Sequence, residues 1–284
     1  MRSSNPVLTR RGAFETGRQD QPAGYGAPQP GQPGTPYGAP QQPMQPMTPE
    51  QLQEMYQAQS AGPLQTGRMT IDDVVARTAM TLLTVFVFGA LAWAFVPVEN
   101  YGWAVGAALA AFAVAMVNIF KREISPPLVL AYAALEGVFL GVLSHLFENS
   151  YSGIVVQAVL GTASVFVGVL VAYKSGWIKV TNRYYRIGMA IAIGFVLLTL
   201  VNLLAILIGG GDGFGLRSGP LGIVVGIVGI LLGAFFLSLD FNEIEQLVAH
   251  GVPEREAWRS AFGLTVTLVW IYLEVLRLLA ILRD

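Results

Sequence analysis

Cysteine is absent from the 284 residues, which excludes disulfides, thiolate nucleophiles and cysteine-based metal or iron–sulfur centres. Charge is scarce as well: Asp, Glu, Lys and Arg make up 12% of the chain, against roughly 25% in an average soluble domain. Neither sign dominates, because the formal net charge is −1, and the Lys and Arg are scattered instead of gathered into an aromatic-interleaved patch. A nucleic-acid partner is not expected. The histidines are His145 and His250, and no serine stands in a nucleophile-elbow or Ser-x-x-Lys setting. Ser144 adjoins His145, but neighbouring residues on a helix do not face each other. The glycine-rich GGGDGFG at 209–215 lacks the Gly-Lys-Ser/Thr of a phosphate cradle and reads as a flexible loop. Neither an enzyme nor a cofactor is expected.

What the chain has in quantity is apolar surface, at 54% of residues. It is distributed unevenly. Residues 1–70 form a tail rich in Pro, Gln and Gly, with QPAGYGAPQPGQPGTPYGAPQQPMQPM at its heart. Such a composition buries too little to offset chain entropy, so the tail is expected to be disordered, with fleeting helix at 47–59. Its first residues, MRSSNPVLTRRGAF, lack the apolar core of a secretory signal, and the tail is expected to be retained.

Residues 71–284 are of another kind. Apolar runs recur at about 74–96, 102–120, 127–147, 153–173, 187–208, 221–240 and 261–282, each near the ~20 residues that carry a helix across ~30 Å of hydrocarbon. Alternating barrel patterning is missing, and backbone polar groups in lipid must be satisfied within the segment. The fold class is therefore an all-α integral membrane protein, a seven-helix transmembrane bundle. Lys and Arg cluster in the tail and its junction (Arg2, Arg10, Arg11, Arg18, Arg68, Arg77) and in alternate loops: Lys121 and Arg122, then Lys174, Lys179, Arg183 and Arg186, then Arg255 and Arg259. The other loops hold Arg217 alone. This bias places the N-terminus in the cytoplasm and, unless the seventh segment re-enters, the C-terminus outside.

Lipid supplies no hydrophobic reason for helices to associate, so close approach through small residues matters. Gly222, Gly226, Gly229 and Gly233 form one stripe on the sixth helix, and Gly102/Gly106 and Gly137/Gly141 repeat the spacing on the second and third. Intramolecular packing is the expectation for all of them, ahead of oligomerisation.

Three carboxylates lie inside apolar runs: Glu136, Asp240 and Glu274. A charge at membrane depth costs ~2.5–3.5 kcal/mol even on the mildest scale, so each is a functional candidate. Arg277 follows Glu274 by three residues and shares its helix face, which allows a local ion pair. Glu136 suits either an interhelical hydrogen bond or an ion pathway. Glu243 and Glu245 head toward His250, Gly251 and Pro253 and read as solvated. Asp240 and Glu274 fall on consecutive antiparallel helices. If the sixth helix continues to about His250, where Gly251 and Pro253 stop it, and the seventh starts near Trp258, they stand ~10 and ~16 residues from the turn, a mismatch of roughly 9 Å in depth at 1.5 Å per residue, so contact between them is open.

LEGVFLGVLSH at 135–145, LSLDFNEIEQ at 237–246 and IYLEVLRLLAIL at 271–282, in this order and in a seven-span setting, resemble the transmembrane Bax inhibitor-1 motif family in its bacterial branch. The resemblance covers roughly 74–284 and leaves the tail outside. It implies a seven-helix protein with a central helix that passes Ca²⁺ down its gradient in a pH-dependent way across the cell membrane. It implies that a carboxylate pair, here Asp240 and Glu274, senses pH and transiently meets Ca²⁺, with Glu standing where the family has Asp. It also implies a basic partner near the end of the second helix, for which Lys121 or Arg122 is nearest. Two carboxylates held together at low dielectric cannot both ionise easily and share a proton, which suits a switch. Hard Ca²⁺ prefers oxygen ligands, which carboxylates supply. Membrane lipid, Ca²⁺ and H⁺ are the expected partners. A proton-coupled cation transporter and a non-conducting regulator or scaffold are the alternatives.

Overall fold

Each apolar run is a helix in the computed structural model of the chain, which describes residues 67–97, 99, 102–208 and 218–283. The tail through residue 66, the fleeting helix expected at 47–59 and the loop expected at 209–215 lie outside the described residues. In chain order the helices are α1 (Ile71–Phe95), α2 (Gly102–Phe120), α3 (Pro126–Ser150), α4 (Ile154–Lys174), α5 (Asn182–Leu207), α6 (Gly219–Ala249) and α7 (Ala257–Arg283), with a 3-10 turn over Glu254–Glu256. All seven are long and apolar enough to cross a membrane, and the protein is a multi-pass membrane protein.

Local chemistry sets the ends. Thr70 caps α1 in a reciprocal box with Asp73, and Asp72 and Asp73 place negative charge in the first turn, where the helix dipole favours it. Pro126 and Pro127 start α3, where their missing N–H groups cost nothing. At Gly251 the chain takes φ +63, a conformation that suits glycine, and it reverses over Val252 and Pro253.

Helix α6 differs most from its sequence outline. It runs for 31 residues, past the apolar run that stops at Asp240, and ends at Ala249, where His250, Gly251 and Pro253 are expected to stop it. At 1.5 Å per residue that is ~46 Å, more than the hydrocarbon needs. Asp240, Glu243 and Glu245 therefore stay on one continuous helix whose last turns run beyond the apolar layer. Helix α7 is likewise unbroken over its 27 residues, which leaves no re-entrant turn in it.

Helix α7 is the centre of the bundle, packed against α6, α1, α4 and α3. The glycine stripe of α6 receives it. A methyl group at Gly226 would meet Leu278, one at Gly229 would lie 2.7 Å from the Glu274 carboxyl, and one at Gly233 would collide with Ile271. Because backbone is bare there, the Trp270 indole N–H reaches the Gly229 carbonyl at 3.1 Å. On α3, Gly137 and Gly141 meet α1 backbone to backbone, at Val85 and Gly89. Buried hydroxyls join the same helices, with Thr81 against Thr265 at 2.8 Å and Ser144 against Tyr272 at 2.6 Å.

The second-helix glycines depart from expectation. A side chain at Gly102 or Gly106 would enter open space, and both line a surface hollow of about 790 Å³ between α2 and α3 with Glu99 and Trp103. Their spacing matches that of a packing motif, but no helix covers them among the described residues.

These two kinds of glycine make a matched test. Gly141→Ala forces its methyl into the backbone of Gly89, which cannot rotate aside, and is expected to cost about 1–3 kcal/mol or more. Gly106→Ala is expected to be neutral. Thermal unfolding in detergent micelles should show a lowered midpoint for the first variant and an unchanged one for the second.

Candidate functional site

One face of α7 carries Arg259, Gly263, Thr267, Trp270 and Glu274 at steps of four, four, three and four, so they form a single stripe. That stripe faces α6, and it fixes where the carboxylates go. Thr267 Oγ1 donates to Asp240 Oδ2 at 2.7 Å, while Glu274 packs on Gly229. Eleven residues of α6 separate Gly229 from Asp240, about 16 Å along the helix. The structure therefore does not bring Asp240 and Glu274 together, and no shared-proton pair forms between them. The shortfall is larger than the sequence estimate because the 3-10 turn at Glu254–Glu256 runs straight into α7. The rise toward Glu274 thus begins at Glu254, not near Trp258.

Glu274 has a nearer partner. Arg277 Nη2 donates to Glu274 Oε2 at 2.5 Å across three residues of the same helix, and the carboxylate side chain is 10% exposed. The local ion pair is the arrangement present.

Asp240 is half-buried at the end of the bundle that carries Arg68, Lys121, Arg122, Lys174, Lys179 and Arg255, called here the basic end. It opens on a cavity of about 410 Å³ between α2, α6 and α7, to which Asn118, Glu243, Arg259 and Ser260 also contribute. The basic partner differs from expectation. Lys121 is exposed, Arg122 offers its carbonyl to Arg259 at 3.0 Å, and neither lines the cavity. Arg259 does, held at the rim by Glu256 at 2.7 Å. From α2 the polar residue that lines the cavity is Asn118, beside Ile119. It is 2% exposed, and neither of its amide atoms has a hydrogen-bond partner among the described residues.

Glu136 lies elsewhere on the same level. Helices α3 and α7 run parallel, with the Tyr132 and Phe262 rings 5.0 Å apart and Ser144 bonded to Tyr272 further along. One turn beyond Tyr132 and Phe262 brings Glu136, 9% exposed, to the height of Thr265–Thr267, where Asp240 is held. Glu243 is exposed, as its solvated reading implies, yet it also lines the Asp240 cavity. Glu245, exposed too, accepts from the Tyr173 hydroxyl at 2.7 Å.

A clasp closes the basic end. Residues 67–70, which composition groups with the tail, lie on the α6–α7 reversal. Met69 N–H donates to the Val252 carbonyl at 2.8 Å, Glu254 N–H to the Gly67 carbonyl at 2.9 Å, and Met69 itself is buried. Arg77 bridges Asp73 and Glu254, and Arg255 reaches Glu123. Sequence reasoning missed Asn118, Arg259 and Thr267. The last two were findable from the four-residue stripe through Glu274, whereas Asn118 was hidden because nothing in α2 marks which face meets α6.

Fold and site define a class first: a helical multi-pass membrane protein with a central seventh helix and carboxylates along its seam with the sixth. Within that class the chain belongs to the family described as Bax inhibitor 1 like, whose model matches residues 5–284. The match takes in the Pro- and Gln-rich tail, which the resemblance read from the motifs left outside. No curated protein matches the chain. Among the described residues no three His, Asp or Glu side chains converge on a metal-sized site.

The Thr267 hydroxyl is the donor that crosses from α7 to Asp240, so Thr267→Val is expected to cost about 1–3 kcal/mol by stranding a half-buried acceptor. Thr267→Ser keeps the donor and should retain most of that stability. Chemical denaturation of the two variants in mixed micelles gives the comparison.

Proposed function

We propose that the protein is a calcium leak channel of the cell membrane, not an enzyme, with its N-terminus in the cytoplasm and its conductance set by protonation of Asp240. The observation that supports this reading is the setting of Asp240. It is a half-buried carboxylate in a member of this family, tied across helices to Thr267 and facing a cavity at the basic end. The positive-inside bias assigns that end to the cytoplasm.

Protonated, Asp240 is neutral and its contact with α7 carries no repulsion from Glu243, the other carboxylate on the cavity wall. Ionised, it attracts a cation and repels Glu243, with Arg259 the facing positive charge from α7 and Asn118 the facing neutral group from α2. Acid therefore closes the pathway, and rising pH opens it. Glu136, at the same height, continues the route past α7. Glu274 acts separately, as a latch with Arg277 against the bare face of α6.

The test is Ca²⁺ entry into proteoliposomes containing the purified full chain, across a pH series. Wild-type flux is expected to rise with pH, by up to about tenfold per unit, the slope of a single protonation. Asp240→Asn mimics the protonated form and should hold flux at the low, pH-independent level. Glu274→Gln should change flux at every pH and leave the slope intact. A pH profile unaltered in Asp240→Asn overturns the sensor. Absence of Ca²⁺ flux from wild type, or uphill Ca²⁺ movement driven by an imposed proton gradient, overturns the leak.

A further inference from the structure

Asn118 is a buried amide with nothing to bond among the described residues, and that is expensive. Leaving a buried polar group without a partner costs about 1–3 kcal/mol, and native structures place few such groups without a reason. Its position suggests the reason. It lies two residues before the end of α2, on the wall of the basic-end cavity, and the other polar groups there are oxygen-rich. Asp240 and Glu243 are three residues apart on α6 and so point the same way. Asp240 uses one carboxylate oxygen to accept from Thr267. The cation of the cavity is turned elsewhere, since Arg259 donates through Nε to Glu256 and through Nη2 to the Arg122 carbonyl.

We propose that this cavity is a binding site for a hydrated divalent cation, held by the amide oxygen of Asn118 and the carboxylates of Asp240 and Glu243. Two carboxylates and a neutral amide oxygen form a hard, oxygen-only donor set that suits Ca²⁺ and offers nothing to soft metals. Size favours an ion that keeps its water. At about 410 Å³ the cavity far exceeds a bare ion, whereas each water occupies ~30 Å³ and several fit around one. Glu243 is exposed and Asn118 is not, so the site grades from open water at its mouth to a dry wall at α2. In this arrangement Glu243 captures the ion at the mouth, and Asn118 replaces one water once it has entered. The inference rests on the leak reading for its purpose, and it replaces Glu274 by Asn118 and Glu243 as the groups that accompany Asp240 at the ion.

The experiment is Tb³⁺ titration of the purified full chain in detergent, followed by tryptophan-sensitised luminescence, with Ca²⁺ as competitor. Trp258 packs in the same cluster as Ile124 and Phe262, which line the cavity, so it is placed to sensitise a bound ion. Saturable Tb³⁺ binding displaced by Ca²⁺ is expected, and Trp258→Phe should dim the signal without changing the affinity. Glu243→Gln, at an exposed position that folding does not depend on, and Asn118→Leu should each weaken binding by about tenfold or more, since loss of even an outer-shell partner costs that much. Wild-type affinity in both variants, or no saturable binding in wild type, overturns the site. Proteoliposome flux separates the two ideas. Binding lost in both variants without Ca²⁺ flux in wild type sustains the site and sinks the leak, whereas pH-dependent flux with binding unaltered in both does the reverse.

Discussion

Helix α7 can occupy the centre of this bundle because α6 presents it with a face that has no side chains. Gly226, Gly229 and Gly233 admit Leu278, Glu274 and Ile271 to the depth where a methyl group would already be. In lipid this closeness is most of what holds helices together, since dispersion and interhelical hydrogen bonds must replace the hydrophobic effect. The same closeness fixes the register. Once Glu274 lies on Gly229 and Ile271 on Gly233, antiparallel geometry carries Asp240 to Thr267. The carboxylates are thus separated by packing, not by any preference of their own charges.

The clasp at the basic end follows from that register. With the reversal at Gly251–Pro253, backbone groups of 252–254 become available, and residues 67–69 take them as a single antiparallel bridge. Exposed ion pairs such as Arg255 with Glu123 contribute little individually. The paired backbone bonds and the burial of Met69 contribute more, because they couple the start of α1 to the turn that joins α6 and α7. A tilt of α6 against α7 would have to move that start as well.

Much of this was legible in the chain. Seven helices follow from run length against bilayer thickness, and the stripe on α6 from four-residue steps, because both are local properties. The apolar run of α6 stops at Asp240, but hydropathy reports where apolar residues stop and not where the helix does, and Gly251 and Pro253 mark the actual end. LSLDFNEIEQLVA continues the helix through polar residues that cost nothing beyond the apolar layer. The depth mismatch of Asp240 and Glu274 is larger than the spacing suggests, because it depends on whether 254–256 belong to the turn or to the start of the last helix, a matter of a few residues that multiplies into many ångströms. Gly102 and Gly106 show the limit of a motif, whose spacing makes a smooth face without saying that anything covers it. Asn118 carries no sequence signal, because its meaning lies in the absence of a partner among the described residues.

The two seam carboxylates also differ in what a proton could accomplish at them. A switch needs a group whose interactions differ between two arrangements of the helices, because a ligand shifts an equilibrium only by its differential affinity for the two states. Glu274 is paired with Arg277 three residues along the same helix. That pair travels with α7 whatever α6 does, so its Coulomb energy is largely common to both arrangements and cancels. Asp240 is bonded across the seam to Thr267 and faces Glu243 on its own helix and Arg259 on the other. Its charge therefore changes the energy of separation between α6 and α7. On the proposed pH-gated reading, Asp240 and not Glu274 is therefore the position where protonation would be converted into movement.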